Sequence, residues 1–174
     1  MSSKPFLSDV ETLRGRARHH IRQGTTGSVE IVNQLLNAAL AIEMVCVLRY
    51  KRHYFLASGM NAPGIADGFL RRANEEQEHA DSIAARIRAR GGDPDFFPEG
   101  LLMHGPIEYA DDVTLPELIE EDVIAERIAI DAYREIMAYL GNSDAESKQM
   151  IERILADEEE HADDLVNLLH ELGS

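Results

Sequence analysis

The chain carries one spacing of acidic and imidazole side chains twice. Glu43 is followed 33 residues later by Glu76 and, three further on, by His79; Glu126 is followed 32 residues later by Glu158 and, three further on, by His161. The surroundings of the histidines repeat too, with Glu75-Glu76-Gln77-Glu78-His79-Ala80-Asp81 against Asp157-Glu158-Glu159-Glu160-His161-Ala162-Asp163. Residues at i and i+3 share a helix face, so each Glu-x-x-His can grip one site. One such motif in an acidic chain is an ordinary solvated surface. Two copies behind two matched lone acids require a fold that brings duplicated helices around a common centre. Glu43 sharpens the constraint, because it is the only charged side chain between Ile31 and Leu48. An unpaired carboxylate there would cost several kcal/mol or take up a proton, so a metal or a fixed partner is expected. Glu126 is less isolated, with Arg127 beside it and Glu120, Glu121 and Asp122 just before.

Helical periodicity dominates, and sparse breakers divide it into four long helices. Ser28 caps a helix running to about Ser58, where Gly59 stops it; Pro63 opens a second that ends at Gly91-Gly92. Thr114-Leu-Pro-Glu117 reads as a capping box for a third ending near Gly141. Ser143-Asp-Ala-Glu146 reads as another for a fourth ending at Gly173. Ser8-Asp-Val-Glu11 caps a short helix in an N-terminal arm, residues 1–27, ahead of a bundle over 28–174. No convincing strand pattern appears.

Tight links near Met60 and Asn142 make each helix pair an antiparallel hairpin, and a Gly- and Pro-rich crossover, 91–114, joins the pairs. A 28-residue helix is ~42 Å long and 24 extended residues reach roughly 80 Å, so that segment can return the chain along the bundle. The ligands then fall at one height. Glu43 lies 17 residues before Met60, and Glu76 and His79 lie 16 and 19 after it. Glu126 lies 16 residues before Asn142, and Glu158 and His161 lie 16 and 19 after it. The four glutamates sum to −4, which two divalent cations neutralise in a dry core. Mixed carboxylate and imidazole donors with open positions suit iron or manganese better than structural zinc.

Composition narrows the setting. Net charge is −15, which excludes nucleic-acid-binding balance for the chain as a whole, but residues 1–27 carry +3 and the remainder −18. Cys46 is the only cysteine, which rules out an internal disulfide and fits a reducing compartment. It reads as a small core residue rather than a redox partner. No signal peptide pattern is present, and the apolar run Ala38 to Leu48 is broken by Glu43 and too short to span a bilayer. A soluble, cytoplasmic protein with no membrane role is expected.

On Glu43, Glu76-x-x-His79, Glu126 and Glu158-x-x-His161, with Tyr50 seven residues after Glu43, the chain resembles the ferritin-like di-iron carboxylate proteins, bacterioferritins above all, over about residues 28–172. The resemblance implies an all-α, ferritin-like antiparallel four-helix bundle with one long crossover. It implies that Glu76 and Glu158 bridge two Fe ions per subunit (Mn is the alternative). Glu43 with His79 and Glu126 with His161 complete the two shells, and Tyr50 stands beside the centre. The activity implied is a ferroxidase that oxidises Fe(II) with O2 or H2O2 and stores the ferric product in a homo-oligomeric shell. Gln77 replaces the Met that ligates haem in bacterioferritins, which speaks against haem. The chain stops 13 residues after His161, too soon for the fifth helix of 24-subunit cages, so a Dps-like shell of 12 subunits is favoured. Rivals are a rubrerythrin-like or di-manganese peroxidase or catalase without storage, and a Dps-type shell coating DNA through Arg14, Arg16, Arg18 and Arg22. The arginines are better explained by helix or subunit contacts. Val123 and Ala129 stand where rubrerythrins place a further glutamate. His53 reads as an exposed helical residue, and His170 as a helix C-terminal cation. His19, His20 and His104 carry no assigned role.

Overall fold

The computed structural model describes residues 29–97 and 113–172. The caps expected at Ser8 and Ser28, the arm with its arginines, His19, His20 and His104, most of the crossover, and Gly173 lie outside the described residues. Four helices make up the fold: α1 (Val29–Gly59), α2 (Pro63–Ala89), α3 (Leu115–Leu140) and α4 (Ala145–Leu172). No strand occurs among the described residues, and the expected all-α, ferritin-like four-helix bundle is the architecture found.

Cross-helix hydrogen bonds give the directions. Tyr50 of α1 reaches Glu126 of α3 while Tyr133 reaches Glu43, and Arg72 of α2 reaches Asp164 of α4 while Arg86 reaches Ser147. Both cross-pairs are therefore antiparallel, and so are the two hairpins. That leaves α2 and α3 pointing the same way, with the end of α2 and the start of α3 at opposite ends of the bundle. The core fills both ends around the middle. Leu36, Ile83, Ile87, Leu140 and Ile151 are fully buried toward one end, and Phe69, Leu118, Ile119 and Leu165 toward the other.

The helix ends show where local chemistry decides. Pro63 opens α2, and the expected stop at Gly91 is a Schellman turn, with Gly92 N–H bonded to Ile87 O at 2.9 Å and Gly91 at φ 77°. At the end of α1 the left-handed position is Asn61, φ 60°, not Gly59. Asn tolerates that region because its short polar side chain bonds locally, and Ala62 N–H closes onto Ala57 O at 3.2 Å. Glu117 closes the expected box at the start of α3, accepting the Thr114 N–H at 2.7 Å.

The start of α4 differs from expectation. Asp144, not Ser143, is the cap: its Oδ1 accepts the Ser147 N–H at 3.1 Å, while Ser143 Oγ turns back to Leu140 O. The reason is tertiary, since the same carboxylate takes Arg86 Nη2 at 2.7 Å and Arg90 Nη1 from the end of α2. A carboxylate satisfies cap and cations together, which a serine hydroxyl cannot. Asn33 and Asn37 of α1 then hold the chain leaving α2, through Arg90 Nε and through Asp93 O and Asp95 N.

α1 is long and apolar enough by composition to cross a membrane, so the length of its uncharged run does not exclude a span. Its placement argues otherwise. Leu36, Leu40, Glu43, Tyr50 and His53 on one face are buried against the other helices, as in a core helix.

Candidate metal centre

Midway along the bundle, the six acids and histidines of the repeat converge. Glu43, Glu76, Glu126 and Glu158 are at most 1% exposed, and His79 and His161 at most 8%. They form two overlapping sets, Glu43, Glu76, His79, Glu158 and Glu76, Glu126, Glu158, His161, within each of which one donor atom per residue lies within 4.8 Å of the others. Glu76 and Glu158 belong to both. His79 Nδ1 faces Glu158 Oε1 at 3.2 Å, Glu76 Oε2 at 3.5 Å and Glu43 Oε2 at 3.6 Å. His161 Nδ1 mirrors it, 3.2 Å from Glu76 Oε1, 3.6 Å from Glu158 Oε2 and 3.8 Å from Glu126 Oε1. Each of these two shared acids thus turns one oxygen toward each imidazole.

The donor set can be tested for fit to a pair of cations. Buried polar atoms in folded proteins are satisfied, with few exceptions. Here Glu43 Oε2, both oxygens of Glu76 and Glu158, Glu126 Oε2, and Nδ1 of both histidines are buried with no hydrogen-bond partner. All aim inward. Hard oxygen and imidazole donors without thiolate fit two Fe(II) or Mn(II) ions, and −4 from four carboxylates balances +4.

Electrostatics carry the same message. Burial and the neighbouring charge of Glu158 push the Glu43 and Glu126 carboxyls far above the usual range. Burial opposes the charged form of the histidines, yet the close carboxylates of Glu158 and its neighbours prevail, pushing His161 up to about 9 and His79 higher still. Burial also opposes the charge on Glu158, but His161 and His79 hold it well below the usual range. Without cations the site keeps its charge low by holding protons.

Three supporting residues were not anticipated. His79 Nε2 meets Asp157 Oδ2 at 3.2 Å, and His161 Nε2 meets Glu75 Oε2 at 3.0 Å, each from the opposite hairpin. These acids stand one residue before Glu158 and Glu76, so the repeat already contained them. Tyr50, expected beside the centre, donates to Glu126 Oε1; Tyr133 likewise donates to Glu43 Oε1. Tyr133 follows Glu126 by seven residues, as Tyr50 follows Glu43, so extending the repeat by two turns would have found it.

Other expectations are corrected or bounded. His53 is not exposed but fully buried, its Nδ1 2.9 Å from Asp122 Oδ2, its Nε2 3.4 Å from Glu121 Oε2 and its ring edge-on to Phe69. With a carboxylate at each nitrogen, it is not aimed at the centre. Cys46 is the buried core residue expected, its thiol pushed up by burial and by the glutamates, hence a poor nucleophile. Gln77 Nε2 donates to Asp81 Oδ1 at 3.0 Å on the half-exposed face of α2. Between α2 and α4 a cavity of ≈ 290 Å³ opens over the histidines, lined also by Arg71, Glu75, Glu78, Asp157, Glu160 and Asp164. Its acidic walls favour the approach of cations.

Known proteins share this fold. The bacterioferritin of Rhodobacter capsulatus is 30% identical over 151 residues, 84% of this chain and 89% of that protein. Its solved structure, described with a metal-free dinuclear site and a haem iron, has a TM-score of 0.73 and covers 83% of this chain and 86% of its own. The bacterioferritin of Brucella melitensis is 34% identical over 148 residues, 82% of this chain and 86% of that protein. A dodecameric thioferritin, the bacterioferritin-related protein of Bacteroides fragilis, matches at 28% identity with a TM-score of 0.76, covering 95% and 94%. The ferritin-like domain matches residues 33–173, and with these relatives it shows that the chain belongs to the ferritin-like family.

Proposed function

We propose that the chain is a ferroxidase and iron-storage or detoxification subunit, oxidising Fe(II) with O2 or H2O2 at a two-iron centre within a multimeric shell. The observation that carries this is the set of eight buried donor atoms with no hydrogen-bond partner, on residues that form two overlapping sets sharing Glu76 and Glu158. The likeness to bacterioferritins supports the substrate. Each Fe(II) supplies one electron, and the paired sites let a two-electron oxidant react with both.

The chain's own residues do the rest. Glu43, Glu76, His79 and Glu158 bind one substrate ion, and Glu76, Glu126, Glu158 and His161 the other. Asp157 and Glu75 accept the Nε2 protons, fixing the tautomer that turns each Nδ1 lone pair inward. Glu43, Glu126 and both imidazoles surrender protons as the ions enter. Tyr50 and Tyr133 close the α1–α3 side, and the acid-lined cavity admits ions from the α2–α4 side. Gln77 offers an amide already bonded to Asp81 where a haem ligand would stand, so the reading includes no haem. A 12-subunit shell is the proposed assembly, as in the Bacteroides relative, and cytoplasmic iron the proposed setting. Anaerobic loading with Fe(II), then mixing with O2 or with H2O2, tests the reading. A fast ferric absorbance phase saturating at two irons per chain supports it; peroxide turnover without ferric product would favour a peroxidase.

A further inference from the structure

Tyr133 and Glu43 make a polar contact at the centre that the resemblance to bacterioferritins did not include. Tyr133 is fully buried, and its hydroxyl donates to Glu43 Oε1. The other oxygen, Oε2, has no hydrogen-bond partner and faces His79 Nδ1 at 3.6 Å. A carboxylate offers a cation one oxygen or both, according to how it turns about its last bond. Here a phenol from the opposite hairpin holds one oxygen. Glu126 also has one oxygen held by a phenol, Oε1 by Tyr50, and Oε2 without a partner, although here the held oxygen is the one nearer His161 Nδ1, at 3.8 Å. The shared acids differ, since no oxygen of Glu76 or Glu158 carries a hydrogen bond. The tyrosines thus sort the four carboxylates into two kinds, two with neither oxygen hydrogen-bonded and two with one oxygen held by a phenol.

Resting on the two-ion reading above, we infer that Tyr133, with Tyr50 as its counterpart, is a positioning residue that limits Glu43 to one coordinating oxygen and so keeps a coordination position open on the ion held by Glu43 and His79. With one oxygen each from Glu43, Glu76 and Glu158 and Nδ1 of His79, that ion has four protein donors. Catalytic metal sites keep a position free in this way, whereas structural sites are closed. Freed from the phenol, Glu43 can turn and supply its second oxygen.

The test uses the full chain loaded anaerobically with Co(II). Wild-type protein should take two Co(II) per chain, which checks the two-ion reading separately; fewer than two overturns that reading and this inference with it. Tyr133→Phe should still take two, but its visible absorption per cobalt should fall about twofold, because coordination rises toward six. Tyr50→Phe should do the same at the other ion, and the double variant should show both losses. A Tyr133→Phe spectrum identical to wild type at two Co(II) per chain would make the residue core packing only. Zn(II)-minus-apo infrared difference spectra of the wild type need no variant. Widely split carboxylate stretches, the signature of one-oxygen binding, are expected; their absence would overturn the inference even if Tyr133→Phe fails to fold.

Discussion

His79 and His161 lie across the centre from one another, ring centroids 6.4 Å apart and planes inclined by 27°. Each turns Nδ1 to the shared pair Glu76 and Glu158 and Nε2 to an acid of the other's helix. One helical unit, used twice, builds both halves of the centre. The symmetry breaks at His53 and Asp122, whose counterparts by position in the repeat are Ile136 and Ala39.

The imidazoles should be ligands of one ion each. His79→Ala or His161→Ala is expected to abolish the fast oxidation phase while far-UV circular dichroism stays unchanged, because a half-filled pair cannot share a two-electron oxidant. Stopped-flow absorbance after mixing with Fe(II) measures it. Unchanged initial rates in both variants would make the histidines structural.

Glu75 and Asp157 should matter without touching an ion. Glu75→Gln or Asp157→Asn removes the carboxylate that fixes the tautomer, and such outer partners are worth about 10–100-fold in metal affinity or activity. Competition with a chelator for bound Co(II) reads the loss. An affinity unchanged in both variants would remove them from the account.

The pH dependence has a defined sign. His161 titrates at about 9 in the fold against 6.5 unperturbed, so its contribution to stability is complete below pH 6.5 and lost as pH rises through 9. Glu43 and Glu126 are raised too, and their contributions likewise fade with rising pH; Glu158 is lowered, and its contribution is lost as pH falls through its folded value. Metal-free protein should therefore show a Tm that declines between pH 6.5 and 9, a decline that bound Zn(II) removes. A metal-free Tm that is flat or rises across that window would contradict the charge arrangement.

Asp144 should be the polar residue that matters at the start of α4. Asp144→Ala loses a cap and strands Arg86 and Arg90, an expected cost of about 3 kcal/mol in urea unfolding of the metal-free protein. Ser143→Ala should stay within about 0.5 kcal/mol. The reverse order would restore Ser143 as the cap.

The convergence of the six candidate ligands was legible because their chemistry is local to the repeat: an acid isolated in an apolar helix, and Glu-x-x-His at matched distances from matched turns. Tyr133, Glu75 and Asp157 lay in the same repeat and required only that it be followed seven residues on and one residue back. The burial of His53 was not legible, since Asp122 comes from α3 and Phe69 from α2. The cap of α4 was ambiguous for a similar reason. Ser143 and Asp144 both suit the position, and arginines 54 and 58 residues away along the chain decide between them.

The central claim is that six side chains hold two ions, and equilibrium titration of the metal-free protein with Fe(II) under anaerobic conditions tests it most directly. Two tight Fe(II) per chain are predicted, with both lost in the Glu43→Ala, Glu126→Ala double variant. One or no tight ion in the wild type, or two retained in the double variant, would contradict it.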